Sequence, residues 1–306
     1  MFNRSGVPVT KYFSYQVRGM ATEKQILMRI GSTKNISKIT KSMKMVSAAK
    51  MRGAETRLLN GRPFAGWLDR IDSKVRVIDV DGHVPKEELE EGGKDGHAIV
   101  VISSDRGLCG GINSGIAKQT RRQLALAPND GHNTSLFIIG EKARALLRRE
   151  FADRIRGNVT ETYQHPFNFS IASALAQAIL SSAVADTERI HVLFNKFVSA
   201  VLYQPSIRSL SVRLDTDKLD QYELEPDTKE DILADLKEFE LASAIYHGVI
   251  ENSTSEESSR MAAMENATTN AQDLISSLTL SYNKARQTRI TTELIEIISG
   301  ASSLDG

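Results

Sequence analysis

The segment Met261–Ala285, MAAMENATTNAQDLISSLTLSYNKA, decides the fold. It contains neither proline nor glycine, and apolar or small residues recur along it in steps of three and four: Met264, Ala267, Ala271, Leu274, Leu278, Ser281 and Ala285. That spacing puts them on one helical face and is typical of a coiled-coil seam. From Asp227 to Ser299 the chain has no proline and a single glycine, Gly248. We therefore predict one helix of roughly 110 Å, at 1.5 Å per residue, which no compact domain of this size could contain.

A second long helix is predicted near the N-terminus. From Ala21 to Asn60 there is no proline, and the only glycines are Gly31 and Gly53. Apolar residues fall mostly three or four positions apart, at Ile26, Ile30, Ile36, Ile39, Met43 and Val46. Because the two ends of a domain usually lie close together, we expect the two helices to pair as an antiparallel coiled coil.

The middle of the chain alternates between strand-like and helix-like runs. Strands are predicted in AIVVIS, SLFIIG, RIHVLFNKFV and AVLYQPSIRSL, and helices at Asn113–Ala127, in EKARALLRREF and at Ser170–Ala183. This alternation indicates a compact α/β sheet domain. The predicted organisation is therefore a basic tail (1–20), an N-terminal coiled-coil helix (21–75), an α/β domain (76–226) and a C-terminal coiled-coil helix (227–306).

Composition narrows the class of protein. The first twenty residues include Arg4, Lys11 and Arg18 but no acid, which fits a mitochondrial presequence or a disordered basic tail. The single cysteine, Cys109, excludes an internal disulfide and a CxxC metal site. No apolar run approaches the roughly 20 residues that a membrane span needs.

The glycine-rich stretch Ser103–Lys118, SSDRGLCGGINSGIAK, lies between a predicted strand and a predicted helix, as a phosphate cradle would. It lacks the Gly-Lys-Ser/Thr ending of a P-loop, and Gly107, Gly110 and Gly111 do not fit GxGxxG. The acid expected about twenty residues later is also missing. We interpret the stretch as a local turn that leads into a helix. The six histidines are scattered, so we predict no catalytic, cofactor-binding or metal-binding residue.

The strongest electrostatic feature is the basic helix Thr33–Arg52, TKNISKITKSMKMVSAAKMR. Its lysines at 34, 38, 41 and 44 form a stripe that could bind nucleic acid. Between Tyr15 and Phe64, however, no aromatic residue is available to stack on bases. A solvated helix flank and an acidic protein surface around the helix are the alternatives.

Three stretches resemble the γ subunit of F-type ATP synthases: KNISKITKSMKMVSAAKMR, the glycine stretch, and Ser258–Ala301 with its tail ITTELIEIISGASS. The resemblance covers roughly Ala21–Leu304, and through the middle it is one of layout more than of motif. It implies an α/β fold with long helices, in which an antiparallel coiled coil of N- and C-terminal helices joins a Rossmann-like α/β domain. It also implies a non-catalytic rotor subunit, without a cofactor, that couples proton-driven ring rotation to conformational cycling of the catalytic β subunits.

The resemblance further implies partners and contact positions. The partners are α and β subunits, three of each, small central-stalk subunits of the δ/ε type and the membrane c-ring, with no nucleic acid. The positions matching contacts with β catch loops are Met43, Lys44, Arg260, Arg286, Gln287 and Thr291. Those matching the apolar bearing of the hexamer are Leu294, Ile297 and Ile298. Read with the acid-free N-terminus, the family favours the matrix side of the mitochondrial inner membrane. Rival readings are a nucleic-acid-binding coiled coil and a nucleotide-dependent enzyme using the glycine stretch.

Overall fold

The computed structural model describes residues 23–66, 75–77, 96–126, 134–162, 167–182, 187–211 and 229–302. The tail at 1–20, predicted as a mitochondrial presequence or a basic tail, lies outside them. The described elements follow in chain order: α1 (Glu23–Ala65), β1 (Val75–Val77), β2 (Gly96–Ile102), α2 (Ile112–Leu126), β3 (Thr134–Ile139), α3 (Glu141–Phe151), β4 (Ile155–Val159), α4 (Phe169–Ser182), β5 (Thr187–Ser199), β6 (Leu202–Ser211) and α5 (Lys229–Ser302).

The strands form one sheet in the order β1-β6-β5-β2-β3-β4. Strands β5, β2, β3 and β4 run parallel to one another, whereas β6 is antiparallel to both β5 and β1. The chain steps from β2 to β3 and β4 and then returns on the other side of β2 as β5. This reversal of strand order beside β2 is the switch point of a doubly wound sheet. The predicted Rossmann-like domain is confirmed.

Each face of the sheet buries apolar side chains against helices. On one face, Val100, Ile102 and Phe194 pack against α4 and against Leu241 and Ile245 of α5. The other face packs against α2 and α3 through the residues that alternate with these along the strands. Burial on both sides explains the near-continuous apolar runs of β2 and β3, as expected for parallel strands.

Strand β4 was not predicted, and its sequence explains why. Its five residues, IRGNV, alternate between half-buried and exposed, as expected of an edge strand. Gly157 and Asn158 are poor strand formers, so propensity gives no signal. Gly157 is nonetheless required for packing, because a Cβ there would lie 2.9 Å from Cδ1 of Phe137.

By its internal packing the chain divides into two compact units, residues 1–39 with 267–306, and residues 40–266. In the smaller unit, Nη1 of Arg289 lies 2.8 Å from Oε2 of Glu23. In the larger unit, Lys44 pairs with Glu265 at 2.7 Å and Arg62 with Glu251 at 3.0 Å. Numbers rise along α1 as they fall along α5, so the helices pair antiparallel, as predicted.

The residues of α1 that face its partner differ from those predicted. Burial recurs in alternating steps of four and three, through Ile26, Ile30, Thr33, Ser37, Thr40, Lys44, Ser47, Met51, Ala54 and Leu58. Ile36, Ile39 and Val46, assigned to this face from the sequence, are each more than half exposed. Each lies one residue before a seam position and so points about 100° away. The seam is largely polar or small, which apolar periodicity could not reveal.

The predicted seam of α5 is right in part. Met264 and Ala271 are buried, and Ala267, Leu278 and Ala285 are half-buried. The prediction is wrong for Leu274 and Ser281, because both are exposed. Ile275 and Tyr282, one residue further along, are half-buried instead. A heptad seam alternates steps of four and three, and after Ala271 the prediction used a step of three where the helix uses a step of four, to Ile275.

Candidate functional site: the anchored segment of α5 and its exposed end

Helix α5 approaches the sheet closely at Gly248. A Cβ at Gly248 would lie 2.7 Å from Cδ1 of Ile102 and 3.5 Å from Cβ of Phe194. Glycine is unfavourable inside a helix, so its presence here reflects this close approach. Gly248 therefore marks the point where the long helix is pressed onto the sheet.

One turn further along, Glu251 joins three elements. Its carboxylate accepts hydrogen bonds from Nε of Arg62 in α1 at 3.0 Å and from the backbone N–H of Phe197 in β5 at 2.8 Å. Nε2 of His247, in α5 itself, lies 3.4 Å away. Burial alone would raise the pKa of Glu251, but these donors together hold it below its ordinary value. The carboxylate therefore stays ionised and ties α1, α5 and β5 together.

The next turns of α5 are bonded to the β5–β6 hairpin. Nδ2 of Asn195 donates to Oδ1 of Asn252 at 2.8 Å, and Oγ of Ser255 donates to the carbonyl of Asn195 at 3.0 Å. Oγ of Ser258 donates to the carbonyl of Ala200 at 2.6 Å. Because Asn195, Asn252 and Ser255 are buried, these bonds are shielded from water and would be costly to break.

The glycine stretch is the other half of this attachment. Oγ of Ser259 donates to the carbonyl of Cys109 at 2.6 Å, and Nε of Arg260 donates to the carbonyl of Gly107 at 3.4 Å. Gly110 has a φ of 62°, and a Cβ there would lie 3.3 Å from Oγ of Ser259. Toward α5 the loop thus presents carbonyl acceptors, whereas a phosphate cradle presents N–H donors. The loop follows β2 at the switch point and holds a helix there.

Arg260 was predicted as a partner contact, but the structure places it inside this attachment. The residue is only 3% exposed. Its guanidinium pairs with Glu256, and with Oε1 of Glu257 at 2.9 Å. Burial raises the pKa of Glu256, and Arg260 offsets part of that effect. With its guanidinium committed within the chain, Arg260 presents no surface to a partner here.

The other predicted contacts lie at or near the surface. Met43 is half-buried, and Lys44 is half-buried and paired with Glu265. On α5, Arg286, Gln287 and Thr291 are all exposed, and Oγ1 of Thr291 donates to the carbonyl of Gln287 at 2.9 Å. Leu294, Ile297 and Ile298 are also exposed, and each is more than half accessible.

Sequence reasoning missed further exposed apolar side chains on the same helices. In α1 they include Leu27, Met28, Met45 and Leu59, and in α5 they include Leu280, Ile290 and Ile295. Ile36, Ile39 and Val46 are exposed as well, so the two helices carry many exposed apolar side chains and not only a few scattered ones. Extended surfaces of this kind mark protein interaction sites. In the sequence, such a side chain could have been recognised as an apolar residue that lies outside the heptad positions of the helix–helix seam.

The sole cysteine, Cys109, and His191 are buried, and burial shifts the pKa of each. Burial raises the pKa of the Cys109 thiol, which disfavours a thiolate nucleophile. Burial, with His97 and Arg189 nearby, lowers the pKa of His191 to about 3. Among the described residues, no three side chains of the metal-binding types converge on one point. No described helix is long and apolar enough to cross a membrane.

Comparison with known proteins assigns this architecture. Residues 22–304 match the family model described as ATP synthase. The mitochondrial ATP synthase subunit gamma of Ipomoea batatas is 38% identical over 305 residues, covering 95% of this chain and 87% of the relative. That of Drosophila melanogaster is 39% identical over 289 residues, covering 94% and 93%.

Two solved structures agree in fold. A central stalk chain of the Tetrahymena thermophila mitochondrial ATP synthase has a TM-score of 0.58 at 30% identity, covering 75% of this chain and 99% of that one. A rotor chain of the Euglena gracilis mitochondrial ATP synthase has a TM-score of 0.71 at 21% identity, covering 88% and 98%. The chain belongs to the family of ATP synthase γ subunits, the non-catalytic stalk subunits of that complex.

Proposed function

We propose that this chain transmits torque through α5. The torque passes from the α/β domain, attached to the membrane ring, to the catalytic β subunits. One observation carries the proposal. The same continuous helix holds the buried attachment from Gly248 to Arg260 and the exposed segment from Arg286 to Ile298. A rotor must be fixed firmly at one place and present surface to its partners at another. If α5 unfolded at its attachment, it would turn without turning the sheet domain. The hydrogen bonds of Glu251 and Ser259 oppose this unfolding.

The exposed segment is suited to contacts that form and break. Arg286 and Gln287 are proposed to hydrogen bond with catch loops of the β subunits, together with Thr291, Met43 and Lys44. A charge-assisted hydrogen bond is strong enough to favour one β conformation over another. A ligand shifts a conformational equilibrium only by its difference in affinity for the two states. An asymmetric helix that turns inside the hexamer provides such a difference to each β subunit in turn.

The attachment and the apolar end have separate roles in this account. Arg260 is proposed to hold α5 to the glycine loop and is removed from the set of partner contacts. Leu294, Ile297 and Ile298 are proposed to turn within an apolar bearing of the hexamer. Apolar side chains suit a bearing because their contacts are non-directional and change little as the helix rotates.

The proposed partners are three α and three β subunits, the small central-stalk subunits and the c-ring. The proposed location is the matrix face of the mitochondrial inner membrane. The relatives from Ipomoea batatas and Drosophila melanogaster, both described as mitochondrial, support it.

Reconstitution tests the proposal. The chain is mixed with its α and β partners, and the native mass and ATPase rate are measured. We expect one copy per three α and three β subunits. Changing Arg286 and Gln287 to Ala should lower the ATPase rate of the complex. The matched control is Arg148→Ala on α3. The Arg148 side chain is also exposed, but it lies outside the exposed segment of α5. Failure to join a hexamer, or equal rates for all the variants, would refute the proposal.

A further inference from the structure

Two adjoining cavities lie beside α1 in the larger unit, and Arg57 lines both. The first, the polar crevice, has a volume of about 440 Å³ and is lined in part by Lys50, Gly53, Arg57, Asp105, Glu256 and Glu257. The second, the aromatic pocket, has a volume of about 500 Å³ and is lined by Arg57, Asn60, Gly61, Phe64, Phe169, Phe239 and Tyr246. Together they form one groove along α1.

One face of α1 forms the wall of this groove. Lys50, Gly53, Arg57, Asn60 and Phe64 follow one another in steps of three and four, so they share a helical stripe. The stripe lies beside the seam that faces α5, and it has no part in the attachment of α5 described above. The groove has aromatic rings at one end and, at the other, two cations that pair with no described residue, a combination that matches an amphipathic ligand.

The aromatic pocket is a concentration of a residue type that is scarce in this chain. Aromatic residues make up only 6% of the sequence, yet three phenylalanine rings meet here. The Phe64 ring centroid lies 5.8 Å from that of Phe169 and 6.1 Å from that of Phe239, both in edge-to-face geometry. Phe64 and Phe239 nevertheless remain about 40% exposed. Exposed aromatic rings around a pocket are a common anchor site for an apolar side chain of a partner.

The charges of the groove select an acidic occupant. The carboxylates are already engaged within the chain: Asp105 accepts hydrogen bonds from the backbone N–H groups of Glu141 and Thr162, and Glu256 and Glu257 pair with Arg260. Lys50 and Arg57 form no hydrogen bond or ion pair with any described residue. Within the described part of the chain, the α1 wall therefore carries two cations without a charged partner, whereas the carboxylates of the crevice are engaged.

Gly53 leaves an open space along this wall. No atom lies within 4 Å of where its Cβ would be, so the described chain has room for alanine. Glycine is a much poorer helix former than alanine, so stability of the chain alone would favour the replacement. A partner backbone lying against α1 would account for the glycine.

We propose that the groove docks a segment of a partner polypeptide, with an apolar side chain in the aromatic pocket and an acidic side chain bonded to Arg57 and Lys50. The occupant is a polypeptide because the groove is open along the helix and combines two subsites of unlike chemistry. The inference deepens the proposed function, on which it rests, by giving the assembly a contact surface separate from the exposed end of α5.

Thiol labelling tests the proposal, because the only native cysteine, Cys109, is buried. Ala49→Cys and Asn60→Cys place a thiol in the groove, and Leu59→Cys, exposed on the opposite face of α1, is the matched control. Labelling rates with a maleimide are measured in the free chain and in the complex reconstituted with all its partner subunits. We expect both groove thiols to react readily in the free chain and to slow by about tenfold or more in the complex, which corresponds to about 1.4 kcal/mol. The control should not slow.

Charge reversal tests the chemistry of the occupant. In the Asn60→Cys background, Arg57→Glu should restore fast labelling in the complex, whereas Arg57→Lys should leave the thiol protected. A photo-crosslinker at Asn60 should join the chain to a partner peptide that contains acidic and apolar residues.

The other outcomes overturn the inference in distinguishable ways. Slow labelling in the free chain means that the chain itself fills the groove. An active complex in which the groove thiols stay reactive, or slow no more than Leu59→Cys, removes the inference but leaves the proposed function standing. Protection that persists with Arg57→Glu rules out an acidic occupant. A chain that joins no complex overturns both.

Discussion

Gly248 and Gly53 should respond in opposite directions to the same substitution. At Gly248, an alanine Cβ would lie 2.7 Å from Cδ1 of Ile102, and overpacking of this kind costs about 1–3 kcal/mol. Alanine gains back about 1 kcal/mol of helix propensity, so Gly248→Ala should destabilise the chain by about 1 kcal/mol. Gly53→Ala meets no atom within 4 Å and should stabilise the chain by about 1 kcal/mol.

Urea unfolding of the isolated chain, followed by circular dichroism at pH 7, measures both changes. Ile102→Val removes the Cδ1 atom and by itself should cost about 0.5–1.5 kcal/mol. If steric overlap is the cause, the double variant Gly248→Ala with Ile102→Val should lose less than the sum of the two single losses, by about 1 kcal/mol. Stabilisation by Gly248→Ala, or strict additivity with Ile102→Val, would refute the close approach of α5 to the sheet.

Three further predictions concern charge. Glu251→Gln should destabilise the chain by about 1–3 kcal/mol at pH 7, since the buried carboxylate loses its charged hydrogen bonds, one of them to Arg62, whose side chain is 40% exposed. The folded pKa of Glu251 is lowered from 4.5, so this difference should shrink as pH falls below 4.5, as urea unfolding at pH 7 and pH 4 would show. His191 has a folded pKa of about 3 against 6.5 unfolded, so protonation of the unfolded chain should remove about 2 kcal/mol by pH 5. The same unfolding measurements should show that His191→Gln flattens that decline. Arg286→Ala should leave thermal unfolding of the free chain unchanged while lowering the ATPase rate of the complex, because its side chain is exposed.

Each of these has a contrary result. An undiminished effect of Glu251→Gln at pH 4 would show that its ionisation is not what stabilises the fold. Equal decline of stability in wild type and His191→Gln would place the acid sensitivity in another group. A lowered melting temperature for Arg286→Ala would show a structural role for that side chain.

The sequence predicted the architecture well because its strongest signals are strictly local. Long runs without proline or glycine predicted α1 and α5, and buried apolar runs predicted β2 and β3. What it could not give was the phase of the seam, because Thr33, Ser37 and Ser47 occupy positions that apolar periodicity assigns to others. Small polar residues can line a helix–helix contact without leaving a hydropathy signal.

The candidate site was harder to predict for the same reason. The attachment of α5 depends on Glu251, Ser255 and Ser259, residue types that are usually exposed, and on partners more than fifty positions away. Only the fold brings them together. Arg260 is the opposite case. A charged residue in a helix is expected to be exposed to a partner, but Glu256, Glu257 and the carbonyl of Gly107 enclose its guanidinium. The sequence predicted that the glycine stretch is not a phosphate loop, but the hydrogen bonds from Ser259 and Arg260 to its carbonyls required the structure.

The most direct test of the central claim is to watch the chain turn. Val201, 86% exposed at the β5–β6 turn, is changed to cysteine and attached to a bead, while the surrounding α and β subunits are fixed to a surface. On addition of ATP, a torque-transmitting rotor predicts rotation in one direction with three pauses per turn, set by three β subunits. A complex that hydrolyses ATP while a firmly attached bead stays still would contradict the account.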